Sequence, residues 1–328
     1  MKILLATDGY STAEAALEVV LYRPWDPGTE VRVISVVEPL NERINHLVGL
    51  FGLAKTASDA QRRLLDQTKE IVEKFTKRLQ VKFGDDKVSA VVKEGRVRES
   101  LIAEANEWQA DTIVLGAHAH SDSGDMLFGS VPEYVLSRAK CAVEILRTAN
   151  PSTVVTELER NQPVEEDKYL IALDDSECSE ATIQELLKRK WPAKPFFKVI
   201  SVVEPLPFQA YTGLGPWEGA GSEEYVQLVN KTLEAEQSIA KKVVANAVSR
   251  LQQQFADADV TGEVFEGYAK DRILSVAKDW PADLVILGSH GRGGFMEFVL
   301  GSVSKATSIH ASCSVLVVRA PAITKIAK

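Results

Sequence analysis

No run of apolar residues in the 328-residue chain approaches the ~18 that a membrane-spanning helix needs, so no helical membrane span is expected. Basic stripes are absent as well. The 38 Lys and Arg side chains are outnumbered by 46 Asp and Glu, giving a net charge of −8. Nucleic acid is therefore not expected as a partner, because affinity for a phosphate backbone needs clustered cations. Cysteine is scarce: Cys141, Cys178 and Cys313 cannot all pair, no CxxC spacing occurs, and a reducing cytoplasm is the expected compartment. The opening MKILLATDGYS turns polar and acidic after five residues, so it is expected to be a first strand and not a signal peptide. Neither of the two commonest phosphate loops is present, for there is no GxxxxGK[ST] and no GxGxxG opening a helix directly after a strand.

What remains is the composition of an ordinary folded protein, 45% hydrophobic and 26% charged, long enough for two domains. Short apolar runs alternate with helical patterns. Lys2 to Thr7 reads as a strand, Thr12 to Leu21 as a helix capped by Ser11, and Val31 to Val37 as a second strand. A long amphipathic helix (Ala57 to Phe83), a strand (Val88 to Val92), a helix (Val97 to Trp108) and a strand (Thr112 to Leu115) follow. A helix at about Val131 to Ala139 and a strand from Ala142 to Leu146 complete the series, which implies βαβ crossovers and a parallel sheet.

The order then repeats. ISVVEPL at Ile34 to Leu40 recurs letter for letter at Ile200 to Leu206, a displacement of 166 residues that also sets Asp8 opposite Asp174. Later landmarks are displaced by 172: Glu94-Gly95 against Glu266-Gly267, Asp111 against Asp283, Gly116 against Gly288, Cys141 against Cys313. The extra residues fall between Leu206 and Glu266, where the second copy carries a Gly-rich loop with Trp217, read either as a cover over a ligand or as a hydrophobic plug. The expected domains are 1–148 and 168–328, joined by a polar, acidic linker at 149–167.

Asp283 to Ser302, DLVILGSHGRGGFMEFVLGS, reads as a buried strand, a glycine-rich loop and a helix start. Gly291, Gly293 and Gly294 are expected to allow positive φ, Arg292 adds a fixed positive charge, and Ser302 is the expected N-cap, where phosphate oxygens are favoured. If the strand order is 3-2-1-4-5, the ligand crevice lies between strands one and four of each copy. Asp174 and the glycine loop then face one another, which suits a ribose hydroxyl and a phosphate chain.

With Gly288, Gly291, Gly301 and Ser302 in the spacing Gly, two residues, Gly, nine residues, Gly, Ser, and with Asp174-x-Ser176 at the first strand's end, the chain resembles the universal stress protein family in its tandem form. The likeness covers nearly all of the chain except the linker. It implies two tandem open parallel five-stranded sheets of order 3-2-1-4-5 with helices on both faces, a Rossmann-like α/β fold. It also implies ATP, or ADP or AMP, with Mg²⁺ as an accompanying ion. Asp174 is implied at the ribose, the main chain near Val202 at the adenine edge, and Gly288, His290, Gly291, Arg292, Gly301, Ser302 and Val303 at the phosphates. The final strands are implied to pair within one chain as a pseudo-dimer, with a homodimer as a further assembly.

The first copy departs from the pattern. Its equivalents are Asp8, Val36, Gly116, Gly129 and Ser130, but Ala119 replaces the second glycine, His120 stands for Arg292 and Asp122 for Gly294. Negative charge is thereby added beside the place a triphosphate would occupy, so the second copy is expected to bind nucleotide and the first weakly or not at all. His118, His120, Asp122 and Asp125 read as a solvated loop, not a metal site, since sequence proximity supplies no convergent geometry. Cys141 and Cys313 are expected to be buried apolar residues, and Cys178 to lie near a helix's first turn. No general base or metal-ligand pair is evident, so the expected activity is nucleotide binding in a stress response, with occupancy controlling conformation or partners. The alternatives are a slow ATPase or self-phosphorylating protein, and a scaffold that binds no nucleotide.

Overall fold

A computed structural model describes residues 1–40, 50–51, 53–117, 128–147, 167–205, 223–292 and 300–320. The chain divides into two compact units, Met1–Pro163 and Val164–Lys328.

In the first unit the elements are β1 (Lys2–Ala6), α1 (Ser11–Tyr22), β2 (Glu30–Val37), α2 (Ala54–Phe83), β3 (Val88–Glu94), α3 (Val97–Glu107), β4 (Thr112–Gly116), α4 (Ser130–Arg138) and β5 (Ala142–Leu146). Every strand pair is parallel and the order is β3-β2-β1-β4-β5, with Ile3 beside Val31 on one side and Thr112 on the other. Ile3, Leu4 and Leu5 are all fully buried, as expected for a central strand covered on both faces. One cover is α2, whose Val72, Phe75 and Leu79 pack with Ile3, Leu5, Val31 and Val33.

The second unit repeats the plan with β6 (Lys168–Ala172), α5 (Glu177–Lys188), β7 (Phe196–Val203), α6 (Glu223–Gln254), β8 (Asp259–Glu266), α7 (Ala269–Asp279), β9 (Leu284–Gly288), α8 (Ser302–His310) and β10 (Ser314–Val318). Its strands run parallel in the order β8-β7-β6-β9-β10. Counted within each unit, both orders are 3-2-1-4-5, the arrangement on which the crevice argument depends. The buried positions of α6, Ala240, Val244, Ala247 and Leu251, lie 172 residues after Thr68, Val72, Phe75 and Leu79 of α2.

Small ties recur with the repeat. Asp111 and Asp283 each accept the first amide of their unit's opening strand, from Lys2 N at 2.7 Å and Lys168 N at 2.8 Å. Trp25 and Trp191 each donate their indole N–H to a carbonyl of the preceding helix, Val20 and Leu186. Among the described residues no helix is long and apolar enough to cross a membrane. The three cysteines are thiols; Cys178 and Cys313 are buried, whereas Cys141, expected to be buried, is only partly so.

Candidate functional site

The second unit opens a cavity of about 560 Å³ at the carboxyl ends of β6 and β9, where the strand order reverses. Asp174, Val202, Gly288, His290, Gly291, Arg292, Gly301, Ser302 and Val303, all expected at a site from sequence, line it together. Ile200, Ala269 and Ile273 add apolar wall that the sequence did not single out. Ala269 and Ile273 lie four apart on one face of α7, a spacing that could have marked them.

Asp174 is held on several sides. Its Oδ1 accepts the hydroxyls of Ser176 at 2.5 Å and Ser179 at 2.7 Å, and its Oδ2 accepts the Arg292 amide at 3.1 Å. Ser179 Oγ in turn accepts the Asp174 amide at 2.8 Å, while Ser176, the N-cap of α5, accepts the Ser179 amide at 3.2 Å. A carboxylate offers about four lone-pair positions, so this clamp fixes the group and leaves about one direction for a ligand hydroxyl. The serine three residues after the cap was not foreseen; its hydroxyl meets the amide and carboxylate of Asp174, two residues before the cap, and not the cap's own amide as in a capping box.

Gly291 serves a purpose other than the expected one. It does not adopt a positive φ; instead, a Cβ there would lie 2.7 Å from Asp174 Oδ2. Gly293 and Gly294 lie outside the described residues. Gly301 is the N-cap of α8, with φ −61° and ψ 150°, and Ser302 is the first helical residue, not the cap. Two loop amides are already engaged, Arg292's by Asp174 and Gly301's by the Ser289 carbonyl at 2.8 Å. Among the described residues, the first-turn N–H groups of Ser302 and Val303, which a helix leaves without internal acceptors, are placed to meet an anion. Ser304 closes the turn by donating its hydroxyl to the Gly288 carbonyl at 2.6 Å.

His290 places Nδ1 3.0 Å from Ser289 Oγ, and its Nε2 is buried with no hydrogen-bond partner among the described residues. Burial first, and the Arg319 charge second, lower its pKa below the usual histidine value, which favours the neutral ring. The Arg292 guanidinium is ion-paired with Glu236 of α6.

The sequence model described as the universal stress protein family matches residues 1–147 and again 167–319. The chain belongs to the universal stress protein family. A universal stress protein of Synechocystis is 30% identical over 152 residues, 46% of this chain and 97% of that one. One of Mycobacterium tuberculosis is 27% identical over 215 residues, 64% of this chain and 62% of the relative. Among solved structures, a universal stress protein from Archaeoglobus fulgidus superposes with a TM-score of 0.57 at 18% identity, covering 97% of this chain and 96% of that chain. A protein of unknown function from Pseudomonas aeruginosa gives 0.55 at 14% identity, over 98% and 92%. Likeness at this identity speaks to the fold of a tandem universal stress protein.

The first universal stress protein unit is furnished differently. Asp8 is exposed and accepts the Tyr10 amide at 3.0 Å, a local turn. Tyr10 and Ala13 stand where the second unit has Ser176 and Ser179, so the hydroxyl clamp has no counterpart. Tyr10, not Ser11, is the N-cap of α1, and it makes no side-chain cap. Gly129 and Ser130 occupy the cap and first position of α4, Gly116 ends β4 against Thr12, and Val36 sits part-buried in β2. The loop with His118, Ala119, His120, Asp122 and Asp125, the Trp217 loop and the linker lie outside the described residues. Among the described residues no three His, Cys, Asp or Glu side chains converge as metal ligands.

Proposed function

We propose that the second unit binds an adenine nucleotide, ATP or its ADP or AMP counterparts, and that occupancy alters the protein's conformation or partners. One observation carries this reading: a clamped carboxylate, an apolar wall and an uncapped helix start converge on a single cavity of about 560 Å³, within the ~300–1,000 Å³ range of ligand sites. Ile200, Val202, Ala269 and Ile273 suit an aromatic base. The remaining lone pair of Asp174 suits a sugar hydroxyl, and the amides of Ser302 and Val303 suit phosphate oxygens. Among the described lining residues Asp174 is the only carboxylate, so a Mg²⁺ ion would arrive with the phosphates instead of being caged by these residues.

The first unit, without the serine clamp and with Ala119 and His120 in its loop, is assigned weak or no binding. On the family resemblance, the final strands of the two units are expected to pair within one chain, with light scattering reporting any further dimer, and the cytoplasm is the assigned compartment. Calorimetric titration with ATP tests the central claim. One site per chain is expected, lost in Asp174→Ala and kept in Asp8→Ala. Two equal sites would end the asymmetry, and no uptake of any adenine nucleotide would end the reading.

A further inference from the structure

The cavity's fixed positive charge is already spoken for. Among the described lining residues Arg292 is the one permanent cation, and its guanidinium is ion-paired with Glu236, which stands on α6 outside that lining. The Arg292 main chain is anchored separately, by its amide on Asp174 Oδ2 at 3.1 Å, so the loop position does not depend on the Glu236 pair. Glu236 is carried on a long helix fixed beside it by Gln237, which donates to Glu266 Oε1 at 2.6 Å. Two independently anchored groups thus meet through one ion pair.

The two side chains are 38% and 34% exposed. A pair this wet is weak and exchangeable, strong enough to compete for a guanidinium and too weak to exclude a polyanion. The internal repeat adds an independent observation. The 172-residue displacement that superimposes the buried faces of α2 and α6 carries Glu236 onto Leu64 and Arg292 onto His120. Leu64 is 47% exposed and does not fill the core. Both members of the pair are therefore missing from the unit whose loop lacks the full glycine pattern, and both are present in the unit that has it.

We propose that Glu236 is a specificity-determining residue: a carboxylate that competes with a ligand's phosphate chain for Arg292 and thereby sets how strongly the cavity prefers polyphosphates over uncharged ligands. This rests on the nucleotide reading of the same cavity. A phosphate that reaches Arg292 must displace Glu236 or share its cation with it, whereas a nucleoside, contacting only the Asp174 side and the apolar wall, meets no such competition. Neutralising Glu236 without changing its shape then tightens ligands that carry a phosphate chain and leaves nucleosides alone.

The test is calorimetric titration of the full chain and of Glu236→Gln, Arg292→Gln and the double variant with inorganic tripolyphosphate, ATP and adenosine. Glu236→Gln is expected to tighten tripolyphosphate and ATP by about three- to fivefold, the factor that a half-exposed ion pair represents. Adenosine should stay unchanged, and the gain should vanish in the Arg292→Gln background. Glu236→Ala gives the same sign and guards against an effect peculiar to glutamine. The proposal is overturned if Glu236→Gln weakens or leaves unchanged the binding of tripolyphosphate, if the gain survives without Arg292, or if neither protein binds tripolyphosphate. Binding of tripolyphosphate that shows the gain, with no binding of ATP or adenosine, would support the role of Glu236 while rejecting the nucleotide reading.

Discussion

At Gly288 and Gly116 a hydrogen stands where any other residue would place a carbon inside a neighbouring helix. A Cβ on Gly288 would lie 2.7 Å from Cys178 Cβ and 3.1 Å from its carbonyl carbon, and one on Gly116 would lie 2.4 Å from the Thr12 carbonyl oxygen. These glycines let α5 and α1 seat their first turns directly on the ends of β9 and β4, and that seating holds Ser176 and Ser179 against Asp174. Sequence alone singled out Gly291, Gly293 and Gly294 for backbone freedom and Gly288 as a strand end; packing assigns Gly288 and Gly116 the task of close approach. Gly288→Ala is therefore expected to destabilise the second unit by about 1–3 kcal/mol, the usual cost of overpacking a tight contact, and to weaken nucleotide binding as the α5 turn moves. Urea unfolding compared with wild type checks the first effect. A variant with unchanged midpoint would show that the helix can shift without cost.

The seven-letter repeat ISVVEPL finds its explanation at the level of elements. Its glutamates, Glu38 and Glu204, reach across to the first amides of α3 and α7, Val97 N at 3.2 Å and Ala269 N at 3.0 Å. The N-caps of these helices, Arg96 and Tyr268, offer no side-chain bond, and Gly95 and Gly267 just before them adopt φ of +152° and +133°. The same glycines donate their amides to Val37 and Val203, the residues before the glutamates. A strand end in each unit thus supplies both a carbonyl and a carboxylate to the turn that starts the next helix, with negative charge at a positive helix end. In the second unit that helix bears Ala269 and Ile273 of the cavity wall. Glu204→Ala is expected to cost about 1 kcal/mol, as loss of a cap does, with Glu204→Gln costing less. Chemical denaturation of the two variants would rank them; equal stability of Glu204→Ala and wild type would reduce the contact to coincidence.

Across the whole molecule, periodicity and repetition made the fold legible, because alternating strands and helices with buried strands admit few topologies and a second copy checks the first. The lining of the cavity was legible to the extent that its residues sit in one local pattern, Asp174-x-Ser176 and the glycine spacing. Contacts that join distant segments were not: Cys178 under Gly288, Glu236 beside Arg292. Such pairs depend on how helices settle on strands, which spacing within a chain does not encode.

Two units with one topology and unequal furnishing make a further expectation that concerns the entire chain. A ligand held only by the second unit suppresses the local openings that expose amides there and leaves the other unit's openings as they were. With ATP at a hundredfold excess over its dissociation constant, exchange through openings that release the ligand should slow by about a hundredfold, equivalent to about 2.7 kcal/mol. Hydrogen exchange followed by mass spectrometry should place this protection on the Asp174 to Ser179 turn and at the start of α8. The matching stretches of the first unit, Asp8 to Ala13 and the start of α4, should exchange at their ligand-free rates. Asp174→Ala should erase the protection, because the clamp that joins the α5 turn to Arg292 is lost with the carboxylate. Equal protection at Asp8 and Asp174 would mean that a turn held by one backbone amide serves a ligand as well as a carboxylate fixed by two hydroxyls and an amide, and the assignment of the site to the second unit would fall.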